Sequence, residues 1–126
     1  MEETYARTIS QALELSLAGK HEEALAELEQ ALQGADGDGE LHLLRNCGIV
    51  AEQAGDWARA VQYGERALSL GDDPYLRHFL SRAFEKLGRS DLAKEHLDHA
   101  VGIALRENDM RMIAALVRLG HIRPDH

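Results

Sequence analysis

The chain has 126 residues, 44% of them hydrophobic and 29% charged, with a formal net charge of -8. That length supports one core and argues against two, and the apolar content argues against wholesale disorder. Two prolines, 5% aromatics and an abundance of Ala, Leu, Glu, Arg and Gln point to helices and away from a sheet protein. A pI near 5.3 lacks the basic footprint of a nucleic-acid or anionic-membrane binder.

The excess acidity is local. Residues 1–40 carry ten acidic and two basic side chains, whereas residues 41–126 carry twelve of each. The opening Met1-Glu2-Glu3-Thr4 is acidic and lacks the basic-then-apolar form of a secretory signal. A first helix with Ile9, Leu13 and Leu17 along one line runs to Gly19, and a second follows as GKHEEALAELEQAL. The Gly34–Gly39 run, with its alternating Asp and Gly, reads as a flexible linker. Leu44, Cys47, Gly48, Ala51 and Ala54 then recur at helical spacing up to Gly55. Trp57, Ala60, Val61, Gly64, Ala67 and Leu68 form the next stripe. Asp73 suits an N-cap and Pro74 the first helical position. Leu76, Leu80, Ala83, Phe84 and Leu87 lead to Gly88, and Leu92, Ala93, Leu97, Ala100, Val101 and Ala104 lead away from it. Asp109 suits the cap of a last helix, roughly Met110 to Leu119. A frayed tail with Pro124 is expected from Gly120 to His126. The fold class is all-α.

Three segments align without gaps, starting at Gly19, Gly55 and Gly88, at intervals of 36 and 33 residues. Five residues after each Gly stands Ala24, Ala60 or Ala93, and twelve after it stands Ala31, Ala67 or Ala100. Each unit is therefore helix, tight Gly turn, helix. Small residues allow paired helices to approach closely, and a Gly turn relieves the left-handed backbone that commonly ends a helix. This pattern resembles the tetratricopeptide repeat. Leu44, Cys47, Gly48 and Ala51 stand at the signature places of the family's first helix, and Ala60 and Ala67 at its two small positions. Arg77 departs from the family's aromatic, Thr8 and Gln11 stand at apolar places, and Asp36, Asp72 and Leu105 replace the closing Pro. The resemblance implies a single domain, a right-handed α-solenoid of about seven helices. Its repeats would be 4–36, 40–72 and 73–107, with a capping helix at 109–120 and a tail at 121–126.

In that family the first helices line a groove that receives a partner segment. The resemblance places His42, Arg45, Asn46, Ile49 and Gln53 of the middle unit there, with Tyr75, His78, Phe79, Arg82 and Lys86 of the third. In the first unit it places Ala6, Ile9, Leu13 and Leu17. Arg and Tyr are frequent interface anchors, and Arg grips carboxylates with two hydrogen bonds. The implied partner is another protein, a peptide or helix with an apolar anchor and acidic groups. A clamp for a C-terminal carboxylate is not implied, because only Asn46 matches it, while Ile9, Leu13, Tyr75 and Phe79 fill its other places. Ile9, Leu13 and Leu17 either turn into the core or form an exposed apolar patch, a contact site or homodimer face. A non-catalytic interaction module is the expected function. The alternative is a secretion-chaperone-like or self-assembling scaffold.

Other signals are weaker. His96 and His99 share a helix face with Glu95 and Asp98 nearby, but two ligands do not close a metal site, so surface histidines are expected. The GADGDGE segment resembles a calcium loop in composition, yet Leu41 stands where the loop's Gly belongs. Cys47 falls in a core stripe and reads as a small hydrophobe, and Trp57 as packing at the start of its helix. Gly64 and Gly102 sit within helices, where close helix approach is the expected reason. No nucleophile elbow, phosphate loop, zinc-protease or dinucleotide motif occurs. No cofactor, metal, nucleic acid or membrane is implied. One cysteine rules out an internal disulfide, and the apolar run Ile113 to Val117 is too short to span a bilayer. A soluble, cytoplasmic protein is expected.

Overall fold

The computed structural model describes residues 2–123, with side chains from residue 5 onward. Among these residues there are seven helices and no strands. They divide into two compact units, Met1–Gly71 and Asp72–His126. The first unit holds α1 (Glu2–Leu17), α2 (His21–Leu32), α3 (Gly37–Gln53) and α4 (Trp57–Leu68). The second holds α5 (Pro74–Lys86), α6 (Ser90–Arg106) and α7 (Met110–Arg118).

The glycines that mark the repeats set the chain reversals. Gly19, Gly55 and Gly88 have φ of 85°, 73° and 75°, the left-handed region that side chains with a Cβ avoid. Each sits just past the end of a helix. The N–H of Lys20, Asp56 or Arg89 donates to the carbonyl of Leu15, Ala51 or Phe84, at 2.8, 2.9 and 2.9 Å. Each glycine N–H donates to the carbonyl three residues back. These two bonds satisfy carbonyls that the helix end would leave orphaned, as in a Schellman cap. The same device closes α7: Gly120 has φ 83°, and the His121 N–H donates to the Leu116 carbonyl at 2.8 Å. Gly120 is thus a fourth repeat glycine, 32 residues after Gly88. Between α6 and α7 a non-glycine takes this place: Asn108 has φ 54°, and the Asp109 N–H donates to the Ala104 carbonyl at 2.9 Å. Asn tolerates this region better than other side chains.

In the first unit α1 packs on α2 and α3, α2 on α3, and α3 on α4. Ala12, Ala24, Leu28, Leu43, Leu44, Cys47, Val50, Ala51 and Ala60 are buried there. Five of the six repeat alanines are buried, while Ala31 is half-buried. A cluster of Ser16, His21 and Gln53 joins three helices. Ser16 Oγ lies 2.8 Å from His21 Nδ1 and donates to Gln53 Oε1. In the second unit α6 packs on α5 and on α7. Asp56, Asp73 and Asp109 cap α4, α5 and α7 by accepting from the backbone N–H of Arg59, Leu76 and Met112 at 3.1, 2.9 and 3.1 Å.

Three expectations are corrected. The Gly34–Gly39 linker is shorter than its composition suggests, because its second half forms the first turn of α3. A Cβ at Gly39 would stand 2.7 Å from Tyr5 Cε2, so any larger residue there has to displace the Tyr5 ring. The tail does not fray at once: Ile122 is buried against Ala104, Met112 and Leu116, whereas Pro124 lies outside the described residues. Gly102 is exposed, and a Cβ there would meet nothing within 4 Å, so close approach is not its reason.

Two glycines therefore respond oppositely to the same change. Gly88→Ala, placed in a left-handed turn, is expected to destabilise the protein by about 1 kcal/mol. Gly102→Ala, inside a helix with free space, is expected to stabilise it by about 0.5 to 1 kcal/mol. Urea denaturation of both variants measures the two signs.

Candidate protein-binding faces

On α3, His42, Arg45, Asn46, Ile49 and Gln53 lie along one stripe, since their spacing follows successive helical turns. The buried Leu43, Leu44, Cys47, Val50 and Ala51 occupy the remaining positions. His42 and Gln53 are exposed, Arg45 and Asn46 half-buried, and Ile49 is 37% exposed. Two of these side chains have internal tasks. Asn46 Nδ2 donates to the His42 carbonyl at 2.8 Å. Gln53 accepts from Ser16, so its amide is tied to the core cluster. A shallow cleft of about 300 Å³ separates α1 from the start of α3, lined by Tyr5, Ala6, Ile9, Asp38, Gly39 and His42.

The first-helix residues divide. Ala12 and Ser16 take the innermost positions of α1, Ile9 and Leu13 are half-buried, and Leu17 is 79% exposed. The reading in which all three apolar residues turn inward therefore fails at Leu17. A helix rotation that buried Leu17 would expel Ser16 from its hydrogen bonds.

On α5, Tyr75, His78, Phe79, Arg82 and Lys86 form the equivalent stripe. Tyr75, Arg82 and Lys86 are exposed, and His78 and Phe79 half-buried. The Arg82 guanidinium lies 5.8 Å from the centre of the Phe79 ring, a cation–π contact. The Tyr75 hydroxyl is 3.5 Å from Asp109 Oδ1. His78 meets His121 edge to face, with ring centres 6.2 Å apart. Burial lowers the His78 pKa below the ordinary histidine value, and the charges of Arg82 and His121 add to that shift.

A polar network that the sequence did not reveal lies across α5 and α6. Arg77 grips Asp72 with two bonds, Nε to Oδ1 at 2.8 Å and Nη2 to Oδ2 at 2.9 Å. Arg77 Nη1 lies 3.0 Å from His96 Nδ1. Arginine only donates, so His96 Nδ1 is the acceptor and carries no proton. The His96 ring stacks on Phe84 at 5.4 Å. His96 is thus buried, which corrects the expectation of a surface histidine, whereas His99 is exposed. Arg77 stands at the aromatic place of the repeat, and its network with a neighbouring helix fills that role. Among the described residues no three potential metal ligands converge.

Cys47 is fully buried, and burial, with the nearby Glu29 carboxylate, pushes its pKa up to about 12. It is a core residue and a poor nucleophile. No helix among the described residues is long and apolar enough to cross a membrane.

The repeated Gly–Ala helical hairpin has its counterpart among known proteins. A family model for the tetratricopeptide repeat matches residues 11–73. The chain belongs to the tetratricopeptide repeat family. No curated protein is recognisably similar to it. Tetratricopeptide repeats are in general non-catalytic scaffolds for contacts with other proteins. In this repeat protein the match takes in the second half of the first helix pair's opening helix and all of α2 to α4.

The Arg77 network gives this repeat protein an acid-sensitive element. Hydrogen bonding to Arg77 holds the Asp72 carboxyl below its ordinary value, although partial burial opposes this. A depressed carboxylate pKa adds stability above the unfolded value of about 4, and that stability is lost as pH falls through the folded value. The stability difference between wild type and Arg77→Met should therefore shrink as pH falls below about 4. Urea midpoints across that range measure it.

Proposed function

We propose that the protein is a non-catalytic interaction module whose exposed first-helix stripes hold a partner polypeptide. The contact residues are His42, Arg45, Asn46, Ile49 and Gln53 on α3, and Tyr75, His78, Phe79, Arg82 and Lys86 on α5. The observation that carries this reading is the side-chain mixture on these stripes. Each combines an exposed or half-buried apolar group with arginine, the combination that anchors interfaces. The apolar groups suit a hydrophobic anchor, and the arginines suit carboxylates. Ile9, Leu13 and Leu17 add an apolar edge on α1.

A partner recovered from native lysate by the wild-type protein should be recovered about tenfold less by an Arg45→Ala/Arg82→Ala variant, as loss of about 1.4 kcal/mol implies. Equal recovery removes the reading. The second reading, a self-assembling scaffold, is favoured by the exposure of Leu17 at 79%. It expects the apparent mass in light scattering to rise with concentration and Leu17→Ser to abolish the rise. A constant monomer mass at all concentrations removes it.

A further inference from the structure

We propose that His78, His121 and Arg82 form an anion-binding site that takes a carboxylate of an acidic partner segment and tightens as the solution becomes more acidic. The inference rests on the interaction reading above and names the partner chemistry of its α5 stripe. The site combines two elements of the second unit. His78 and Arg82 are one turn apart on α5, and the His121 ring, on the segment that follows α7, meets the His78 ring edge to face. The burial of Ile122 fixes that segment in place.

The charges decide what such a site accepts. The groups bearing on His78 are Arg82, from its own helix, and His121, from the segment after α7. Two imidazoles beside a guanidinium disfavour a metal cation and favour an anion. Arg82 also stands over the Phe79 ring, so an apolar side chain next to the carboxylate has a surface to meet. His121 and Arg82 are exposed, so a polypeptide has access.

The pH dependence follows from linkage. Without a ligand the surroundings favour neutral His78, because burial penalises its charged form and the Arg82 guanidinium adds to that penalty. A bound carboxylate opposes that preference and raises the affinity of the His78 ring for protons. Binding therefore takes up protons, and affinity rises as pH falls from the bound-state pKa to the free-state pKa. Each proton taken up contributes at most about tenfold per pH unit. Once the partner's own carboxyls protonate, near pH 4, the affinity falls again.

The test uses the full chain and a short labelled glutamate-rich peptide with a central leucine. Its controls are the glutamine counterpart of the peptide and inorganic phosphate as competitor. Between about pH 7.5 and pH 5.5 the glutamate peptide should bind about tenfold more tightly, and the glutamine peptide should not. His78→Gln/His121→Gln should reduce that ratio below about twofold. In wild-type protein, the His78 imidazole titration followed by NMR should shift to higher pH when peptide saturates. This readout needs no variant, so a folding defect cannot imitate it. A ratio below about twofold in wild type, an unchanged ratio in the double variant, or an unmoved His78 titration overturns the inference. Displacement of the peptide by millimolar phosphate at equal affinity overturns the assignment to carboxylate. A pH-independent peptide complex removes this inference alone. If no peptide binds at either pH, and Arg45 and Arg82 also prove dispensable for partner recovery, both readings fall.

Discussion

Everything in this repeat protein depends on a backbone reversal that a Cβ would strain. Gly19, Gly55, Gly88 and Gly120 all end a helix in the left-handed region, and at each the glycine N–H and the next residue's N–H donate to carbonyls in the last turn of that helix. That geometry fixes how far the chain travels before the next helix starts. The alanine five residues on then falls on the buried face each time, at Ala24, Ala60 and Ala93. A turn of different length would rotate the second helix and place a charged residue against the core. The repeat is therefore a mechanical consequence of one conformation, used four times.

The two units share this mechanism and differ in charge. Residues 1–71 carry thirteen acidic and five basic side chains, whereas residues 72–126 carry nine of each. At physiological salt, fields between exposed charges decay within about 8 Å. Each unit's charge therefore acts on what lies against its own surface, and the net charge of the whole chain describes neither unit.

Polar groups inside the units join the helices. Ser16 joins α1 to α2 and α3, and Arg77 joins α5 to α6. The Arg77 cluster stands where the repeat pattern is irregular, since Arg77 replaces an aromatic. That irregular position is compensated by hydrogen bonds to Asp72 and to His96 on the neighbouring helix, which satisfy groups that would be costly to bury alone.

Much of this was legible in the sequence. Cys47 as a core residue, Asp73 and Asp109 as caps, and the hairpin register of Gly and Ala all follow from interactions within a few residues. The fourth glycine was also visible, since Met112 and Leu116 stand at the same offsets before Gly120 as Leu80 and Phe84 before Gly88. Other features were not. Asp72 and Arg77 are near in sequence, but His96 is 19 residues beyond Arg77, and Gln53 is 37 beyond Ser16. The placement of Leu17 outside and Ser16 inside depended on which side of α1 met α2 and α3. Local chemistry alone determined the helices, their caps and the glycine turns, because those energies are settled between neighbours along the chain. Tertiary packing alone decided which polar residues are buried, which histidines meet and which apolar side chains stay exposed, because those choices depend on side chains brought together only when the helices close.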